Sequence, residues 1–294
     1  MSTQENNSAA FLPELPQLMV EEAVKAALLE DFGRAGDITS QATIPAEASA
    51  NAQIVSRQHG ILAGSALADA AFRLAHAGLA VTWHKQDGQA LAPGDVAATI
   101  QGPARGLLAG ERVALNFLGH LSGIASATQK FAAKIAHTKC NVVCTRKTTP
   151  GLRAFEKYAV RCGGGASHRF GLDDAILIKD NHIAVAGGVA IAIERARAFA
   201  GHLVKIEVEV DTLEQLHEAL SAKPDVVMLD NMGPELLREA VQITQGRALL
   251  EASGGITLES VGAIAQSGVD VVSTGWLTHS APVLDLGLDI HINT

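Results

Sequence analysis

Aromatic residues, basic leader segments and long apolar runs are all scarce in this chain of 294 residues. Aromatics make up only 4% of it, and small or branched residues supply most of the 48% that is hydrophobic, a mix that suits packing between helices and a sheet. The apolar runs fall well short of the roughly 20 residues of a membrane span. The first residues, MSTQENNSAA, lack a basic start followed by an apolar stretch, so no signal peptide is predicted. We therefore expect a soluble cytoplasmic protein.

Cysteine and positive charge are also in short supply. The three cysteines, Cys140, Cys144 and Cys162, are too few and too unevenly spaced for a disulfide framework. No second Cys/His pair completes a zinc site, so we interpret them as buried, inert thiols. The net charge of −8 argues against a general affinity for nucleic acid or for an anionic membrane surface.

The first third of the chain predicts an α+β domain. Apolar residues at helical spacing predict a helix from Leu18 to Leu28 that ends at Gly33. Short strand-like runs separated by DG and PG turns occupy residues 50–100, with an Ala-rich helix over 66–77. A long helix is then predicted from Ala109 to about His137.

A regular alternation of strands and helices follows. Helical patterns such as 212–220, 234–244 and 258–267 separate six apolar runs that predict strands: NVVCT, AILIKD, VKIEVEV, VVMLD, ALLEASG and VVSTG. This alternation indicates a parallel sheet, either closed as a barrel or left open. We favour the barrel over an open doubly wound sheet, because no glycine fingerprint of a nucleotide-binding fold follows the first strand.

Every predicted strand ends in groups that bind charge or phosphate. The carboxyl ends of barrel strands form the active-site face, so these groups should share one mouth. They are Arg146 and Lys147, Lys179 with Asp180, Glu209, Asp230, Ser253 with Gly254, and Thr274 with Gly275.

Residues 146–182 form a positive segment in an acidic chain. The segment holds seven Lys or Arg against four acids, and it also contains two histidines. This local surplus predicts a small anionic ligand, and clustered Arg suits a dicarboxylate because the planar guanidinium makes two parallel hydrogen bonds. Three of its basic residues recur every four positions on a predicted helix, where a solvated face is an equally good interpretation: Arg153, Lys157 and Arg161.

Two acids, Glu209 and Asp230, supply the opposite charge at the same mouth. They would hold ribose hydroxyls or, through water, a Mg²⁺ ion that bridges phosphate oxygens. Glu207 would share the face of Glu209 and ranks second. The loops at Ser253–Gly255 and Thr274–Gly275 match the phosphate site that barrels build after their last strands.

The central signature of quinolinate phosphoribosyltransferases resembles residues 145–183, TRKTTPGLRAFEKYAVRCGGGASHRFGLDDAILIKDNHI. Six further segments resemble the family in the same order, so the resemblance covers nearly the whole chain. These segments are EDFGRAGDITS, DGQALAPGDV, ERVALNFLGHLSGIAS, EVEVDTLEQL, VVMLDNM and EASGGI.

The resemblance also implies roles for individual residues. Those that would surround the dicarboxylate are Arg146, His168, Arg169 and Lys179. Those near the donor's pyrophosphate would be Lys147, Asn181 and His182. The ribose and Mg²⁺ acids would be Glu209 and Asp230, and the 5′-phosphate loops would be Ser253, Gly254, Gly255, Thr274 and Gly275. Arg112 would reach the site of the neighbouring subunit.

The implied activity is phosphoribosyl transfer from phosphoribosyl pyrophosphate to quinolinate, with decarboxylation to nicotinate mononucleotide in de novo NAD biosynthesis. The implied protein is a homodimer with Mg²⁺ as its cofactor. An N-terminal α+β sandwich-like domain would span residues 1–117 and take back a C-terminal strand, 284–294. An incomplete six- or seven-stranded parallel α/β barrel would span residues 118–283.

Two residues depart from the family pattern. Ser167 stands where Asn is usual, and Trp276 stands where a smaller residue is usual, so that Trp276 would crowd the phosphate loop or pack beneath it. Three other interpretations stay open. One is a paralogue acting on another anion, such as the phosphoribosyltransferase-like proteins associated with molybdate transport genes. The others are a non-catalytic phosphate-binding barrel, which two acids in a cationic mouth argue against, and an aldolase-type barrel with Lys179 as Schiff-base nucleophile.

Overall fold

The computed structural model describes residues 12–291, apart from the side chain of His291. The described chain folds as two compact units. The first includes the chain up to Ala127, Ala154–Gly164 and the chain from Ala281 onward, and the second includes Thr128–Arg153 and Gly165–Ser280. The predicted boundary after residue 117 falls inside one long helix of the first unit.

The first unit is an α+β arrangement of short strands and five helices. Its strands are β1 (Ser49–Ser56), β2 (Gly60–Ile61), β3 (Ala80–Trp83), β4 (Ala90–Leu91), β5 (Val96–Pro103) and β12 (Leu286–His291). Its helices are α1 (Gln17–Phe32), α2 (Ile38–Thr43), α3 (Ser65–Ala75), α4 (Ala104–Ile135, as far as residue 127) and α5 (Arg153–Cys162, from residue 154).

An antiparallel sheet in the order β12-β1-β5-β3 forms the layer on which this unit is built. Ala52 and Ile54 of β1 and Ile100 of β5 are fully buried beneath it. Helix α1 packs against α3 through residues four apart, because i and i+4 lie on one face of a helix. The predicted C-terminal strand is observed as β12 up to His291, and residues 292–294 lie outside the described residues.

The second unit contains all six strands that the apolar runs predict. The strands are β6 (Asn141–Val143), β7 (Ile176–Ile178), β8 (Ile206–Val210), β9 (Val226–Asp230), β10 (Leu249–Ser253) and β11 (Val271–Ser273). The helices that alternate with them are α6 (Asp180–Ala186), α7 (Val189–Phe199), α8 (Leu213–Ser221), α9 (Pro234–Thr244), α10 (Val261–Ala265) and α11 (Trp276–His279).

These strands form one parallel sheet in the order β6-β11-β10-β9-β8-β7. The first strand of this sheet along the chain, β6, pairs with its last, β11, which requires the sheet to curve around on itself. No pairing within residues 12–291 joins β6 to β7, so the barrel is incomplete, as expected. The open doubly wound sheet is wrong for this chain, because its strand order would reverse at a switch point.

Side chains alternate across each barrel strand. In β8 the apolar Ile206, Val208 and Val210 are buried on one face, while Glu207 and Glu209 point to the other. Because side chains alternate in the same way along β10, Glu251 and Ser253 point to one face. The curved sheet therefore carries polar groups on its inner face, although its runs are mostly apolar.

Two predictions about burial have different outcomes. All three cysteines are buried free thiols, as predicted, and burial raises the pKa of the Cys140 thiol to about 12. The solvated face on α5 is wrong for Lys157, which is only 2% exposed, next to the fully buried Glu156. Nε2 of His120 lies 2.8 Å from Oε1 of Glu156, so α5 inserts charged groups into its unit.

No helix within the described residues is both long and apolar enough to cross a membrane.

Candidate functional site

A cavity of about 790 Å³ opens at the carboxyl ends of the barrel strands. It is lined by most of the residues that the strand ends and the family resemblance predict, and its volume suits a small-molecule substrate. The predicted residues that line it are Arg146, Lys147, His168, Arg169, Lys179, Glu209, Asp230, Ser253, Gly254, Gly255, Thr274 and Gly275. The structure thus brings together groups that lie up to 129 residues apart.

Two half-buried arginines form a cationic wall of this cavity. Nε of Arg146 and Nε of Arg169 are both buried and have no hydrogen-bond partner within the described chain. Nη1 of Arg169 donates to the carbonyl of Ala175 at 3.1 Å, which fixes the guanidinium. Burial, and then the charge of Arg146, lower the pKa of Arg169. Buried N–H donors without partners are costly, and an anion bound between the two guanidinium groups would satisfy them.

Lys179 and Glu209 form an ion pair that lines the same cavity. Nζ of Lys179 donates to Oε2 of Glu209 at 2.9 Å, and the Lys179 side chain remains half exposed. Lys147 is exposed, and its backbone is fixed because its carbonyl accepts a hydrogen bond of 2.7 Å from Oγ1 of Thr278. Both ammonium groups are therefore placed where a phosphate or carboxylate enters from solvent.

The acids Glu209 and Asp230 lie on the neighbouring strands β8 and β9, whose residues pair in register. Oδ2 of Asp230 accepts a hydrogen bond of 2.5 Å from Nδ2 of Asn231. Both acids line the cavity and supply hard oxygen donors, which Mg²⁺ prefers. The donor chemistry therefore fits the predicted metal.

The loop after β10 approaches its neighbour too closely for any side chain. Gly254 has φ +92°, and a Cβ atom there would lie 2.1 Å from Oδ1 of Asn231. Gly255 follows with φ +58°, so two consecutive left-handed residues turn the backbone at the cavity. Such a turn presents backbone N–H groups to an anion. The second predicted phosphate loop lies beside it, where Oγ1 of Thr274 donates to the carbonyl of Ile256 at 3.3 Å.

Three predicted residues do not line the cavity. Arg112 is exposed on α4 of the first unit, and its role toward a neighbouring subunit stays a prediction. Asn181 and His182 lie on α6, where Nδ1 of His182 accepts a hydrogen bond of 2.9 Å from the backbone N–H of Lys179. His182 thus stabilises the start of the helix, and a contact of these two residues with the donor's pyrophosphate also stays a prediction.

Sequence reasoning missed two buried residues of the cavity. Glu251 and Ser273 line it, although Glu251 lies in the middle of an apolar run and Ser273 within another. Nε2 of His168 lies 3.0 Å from Oε2 of Glu207 and 3.5 Å from Oε1 of Glu251. The period of two in the β10 run was the available signal, because it turns Glu251 to the same face as Ser253.

Trp276, which departs from the family pattern, lies beside the predicted phosphate loop. The indole is 40% exposed and lines the cavity, with its ring centroid 5.9 Å from that of Phe131. Its backbone N–H donates to Oγ1 of Thr274 at 3.3 Å. Trp276 therefore forms part of the rim. Ser167 is exposed in the loop before His168.

The fold and the cavity together define a parallel α/β barrel protein with a strand-end site for a small, multiply charged anion. The chain matches the family described as "Quinolinate phosphoribosyl transferase, C-terminal domain" over residues 124–289. It matches "Quinolinate phosphoribosyl transferase, N-terminal domain" over residues 37–122. The chain belongs to the quinolinate phosphoribosyl transferase family.

Curated relatives and solved structures agree with this assignment. The chain is 47% identical to the probable nicotinate-nucleotide pyrophosphorylase (carboxylating) of Bacillus subtilis, over 94% of this chain and 95% of that protein. It is 44% identical to the nicotinate-nucleotide pyrophosphorylase of Mycobacterium leprae, over 92% and 96%. The structure of the Francisella tularensis nicotinate-nucleotide pyrophosphorylase is similar with a TM-score of 0.92 at 39% identity, over 95% of this chain and 99% of that one.

Proposed function

We propose that this chain transfers the phosphoribosyl group of phosphoribosyl pyrophosphate to quinolinate and releases pyrophosphate and carbon dioxide. The product is nicotinate mononucleotide, an intermediate of NAD biosynthesis. The single observation that carries the proposal is the composition of the barrel-mouth cavity. It combines a cationic wall, two acids and two glycine loops around one space of about 790 Å³.

The cationic wall suits the quinolinate end of the reaction. The unpartnered Nε atoms of Arg146 and Arg169 would each complete a pair of parallel hydrogen bonds with a carboxylate. Holding both carboxylates fixes the plane of the pyridine ring, so that the ring nitrogen faces the sugar. Orienting two reactants in this way supplies a large part of the reduction in the activation barrier of their reaction.

The acids suit the ribose end. The transition state at the anomeric carbon develops positive charge as pyrophosphate departs, and Glu209 and Asp230 are negative groups fixed on rigid strands. Lys179 pairs with Glu209 at 2.9 Å and holds that carboxylate in place before the donor arrives. The backbone N–H groups at Gly254–Gly255 would hold the 5′-phosphate.

Glu209 and Asp230 would also hold Mg²⁺, through water. When bound, the ion would supply positive charge to the departing pyrophosphate. Nitrogen attack then leaves a pyridinium ring, whose positive nitrogen stabilises the electron pair that stays on the neighbouring ring carbon as carbon dioxide leaves. The chain's contribution is positioning and electrostatics, and no nucleophilic side chain is required.

The assembly belongs to the same proposal. We infer a homodimer in the cytoplasm in which Arg112 of one protomer contacts the substrate in the site of the other. The exposed guanidinium of Arg112 on a long, rigid helix supports this role, since such a group can serve a neighbouring chain without rearrangement.

Two alternatives are disfavoured by particular observations. A Schiff-base mechanism needs a free lysine amine, but Nζ of Lys179 is held in a contact of 2.9 Å with the carboxylate of Glu209. A non-catalytic barrel would have no use for two acids inside a cationic anion site. The paralogue acting on another anion differs in the ligand alone, and the experiment below separates it.

The test is to incubate the protein with quinolinate, phosphoribosyl pyrophosphate and Mg²⁺ and to measure nicotinate mononucleotide. Product should require all three components, and omission of any one should abolish it. Molybdate should neither replace quinolinate nor compete with it. Formation of no nucleotide product from quinolinate in the complete mixture would refute the proposed activity.

A further inference from the structure

Two buried carboxyls lie at the base of the cavity, and the steps described above use neither of them. Glu207 on β8 is 7% exposed and Glu251 on β10 is 4% exposed. The ring of His168 lies between them, with Nε2 3.0 Å from Glu207 and 3.5 Å from Glu251. We call these three residues the acid cluster. Only Glu251 and His168 of the cluster line the cavity itself.

The ring of His168 is oriented toward the two carboxyls by the backbone. The backbone N–H of Arg169 donates to Nδ1 of His168 at 2.8 Å, so that Nε2 faces Glu207 and Glu251. Two adjacent buried carboxylates repel each other, which favours a proton on one of them.

The surrounding charges place that proton on Glu251. Glu207 interacts favourably with the guanidinium of Arg169, an interaction that Glu251 lacks among the causes that set the pKa of Arg169. Burial, and then the charge of Glu207, raise the pKa of Glu251 to about 7, while His168 acts in the opposite direction. The other neighbours are the hydroxyl of Ser273 and the thiol of Cys140, and Arg146 lines the same cavity. These guanidinium groups also disfavour a metal cation in the acid cluster.

The proposed reaction needs a proton at this place. Resting on the proposed function, we propose that Glu251 is the acid that protonates the pyridine ring after carbon dioxide leaves. Loss of carbon dioxide breaks the bond between the carboxyl carbon and the ring carbon next to nitrogen, and the electron pair stays on that ring carbon. The pair takes the proton of Glu251, so that a C–H bond forms and the O–H bond breaks. The Glu251 carboxylate then regains a proton from solvent before the next turnover.

Binding of the substrate prepares the acid for this step. A dicarboxylate held by Arg146 and Arg169 brings negative charge close to Glu251, which raises its pKa further and keeps it protonated. Quinolinate binding at pH 8 should therefore draw a proton from solvent, whereas at pH 5 Glu251 is already protonated and no such uptake should occur. The position of Glu251 on a barrel strand keeps the acid at a fixed distance from the bound ring.

The first experiment measures this proton uptake by calorimetry of quinolinate binding in buffers of different ionisation enthalpy. The unaltered chain should take up close to one proton at pH 8 and almost none at pH 5. Glu251→Gln should abolish the uptake at pH 8, whereas Glu239→Gln, which removes an exposed acid on α9, should leave it intact. Uptake that is equal at both pH values in the unaltered chain would overturn the proposal, even if the Gln variant failed to fold.

The second experiment follows turnover against pH. A general acid must be protonated, so kcat of the unaltered chain should be level at low pH and fall about tenfold per pH unit above the pKa of Glu251 in the complex. Glu251→Gln should lower kcat at least 100-fold with a flat profile and little change in the KM for quinolinate. A Gln variant with full kcat, tested beside an active unaltered chain, would overturn the role of Glu251 alone. An unaltered chain that makes no nicotinate mononucleotide would instead refute the proposed function and the proposal with it.

Discussion

At the scale of single residues, the charged groups of the cavity differ in whether they already have a partner. Arg146 and Arg169 keep buried Nε donors without partners, whereas Lys179 is already paired with Glu209 at 2.9 Å. Groups without partners lose most when they are buried and gain most from a ligand. The two arginines should therefore dominate the affinity for the dicarboxylate.

Replacement of Arg146 by Ala tests whether this arginine dominates the affinity for the dicarboxylate. The variant should weaken quinolinate binding by about 1–3 kcal/mol, because a carboxylate is left in the cavity without its charged partner. Titration calorimetry of quinolinate measures the change. Arg238→Ala is the matched control, since Arg238 is exposed on α9 and its ion-pair contact within residues 12–291 is one of 3.4 Å with Glu235. Equal affinities of the Arg146 variant and the unaltered chain would refute the assigned role.

At the scale of elements, the loop after β10 is fixed by contact with the loop after β9. The backbone N–H of Asn231 donates to the carbonyl of Ser253 at 3.0 Å, and Gly254 passes against the Asn231 side chain. Asn231 itself has φ +56°, so both loops adopt uncommon backbone conformations at the cavity. Strain of this kind persists where the surrounding structure holds it in place, and it is common at binding sites.

Gly254→Ala should disturb this pair of loops. The added methyl group meets Asn231 at 2.1 Å in a left-handed conformation, so we expect a loss of about 1–3 kcal/mol in the free energy of unfolding. The KM for phosphoribosyl pyrophosphate should rise, while the affinity for quinolinate alone should change little. Denaturant unfolding and steady-state kinetics measure the two effects.

Gly262→Ala provides the control for that experiment. Gly262 lies on α10 with open space around it, and Ala favours a helix over Gly by about 1 kcal/mol. This variant should keep its kinetics and lose no stability. Similar behaviour of the two variants would show that the tight approach of the loops is not a requirement of the donor site.

The sequence predicted the strands better than it predicted their inner faces. All six barrel strands follow from apolar runs, and strand ends alone located Glu209 and Asp230 correctly at one mouth. Glu251 was missed because it lies inside the run ALLEASG, whereas the candidate site residues were predicted from the strand ends. Lys157 was misplaced because helical spacing cannot tell a solvated face from one covered by other parts of the chain.

At the scale of the whole molecule, the two family matches cover residues 37–122 and 124–289, so each unit contains sequence that the family models match. The name of the substrate came from the resemblance, because strand-end charges define only an anionic, phosphate-bearing ligand. The role of Arg112 depends on a second chain, and no pattern within one chain reveals it. An experiment on mixed assemblies is therefore needed.

Such an experiment combines two inactive variants, Arg112→Ala and Lys147→Ala. If Arg112 serves the neighbouring site, a mixed dimer contains one site with both residues intact. Co-expressed chains should then recover up to about half of the activity per dimer, while each variant alone stays inactive, since loss of one site contact typically costs several kcal/mol in a shared site. Demonstrated mixed dimers without any recovery would exclude the shared site.

The most direct test of the central claim follows the carboxyl carbon next to the ring nitrogen. Quinolinate labelled at that carbon should release labelled carbon dioxide in equal amount to the nicotinate mononucleotide formed, and only when phosphoribosyl pyrophosphate is present. Quinolinate labelled at the other carboxyl should keep its label in the product. Release without the donor, or a nucleotide that retains both carboxyls, would contradict a decarboxylating phosphoribosyl transfer in this barrel.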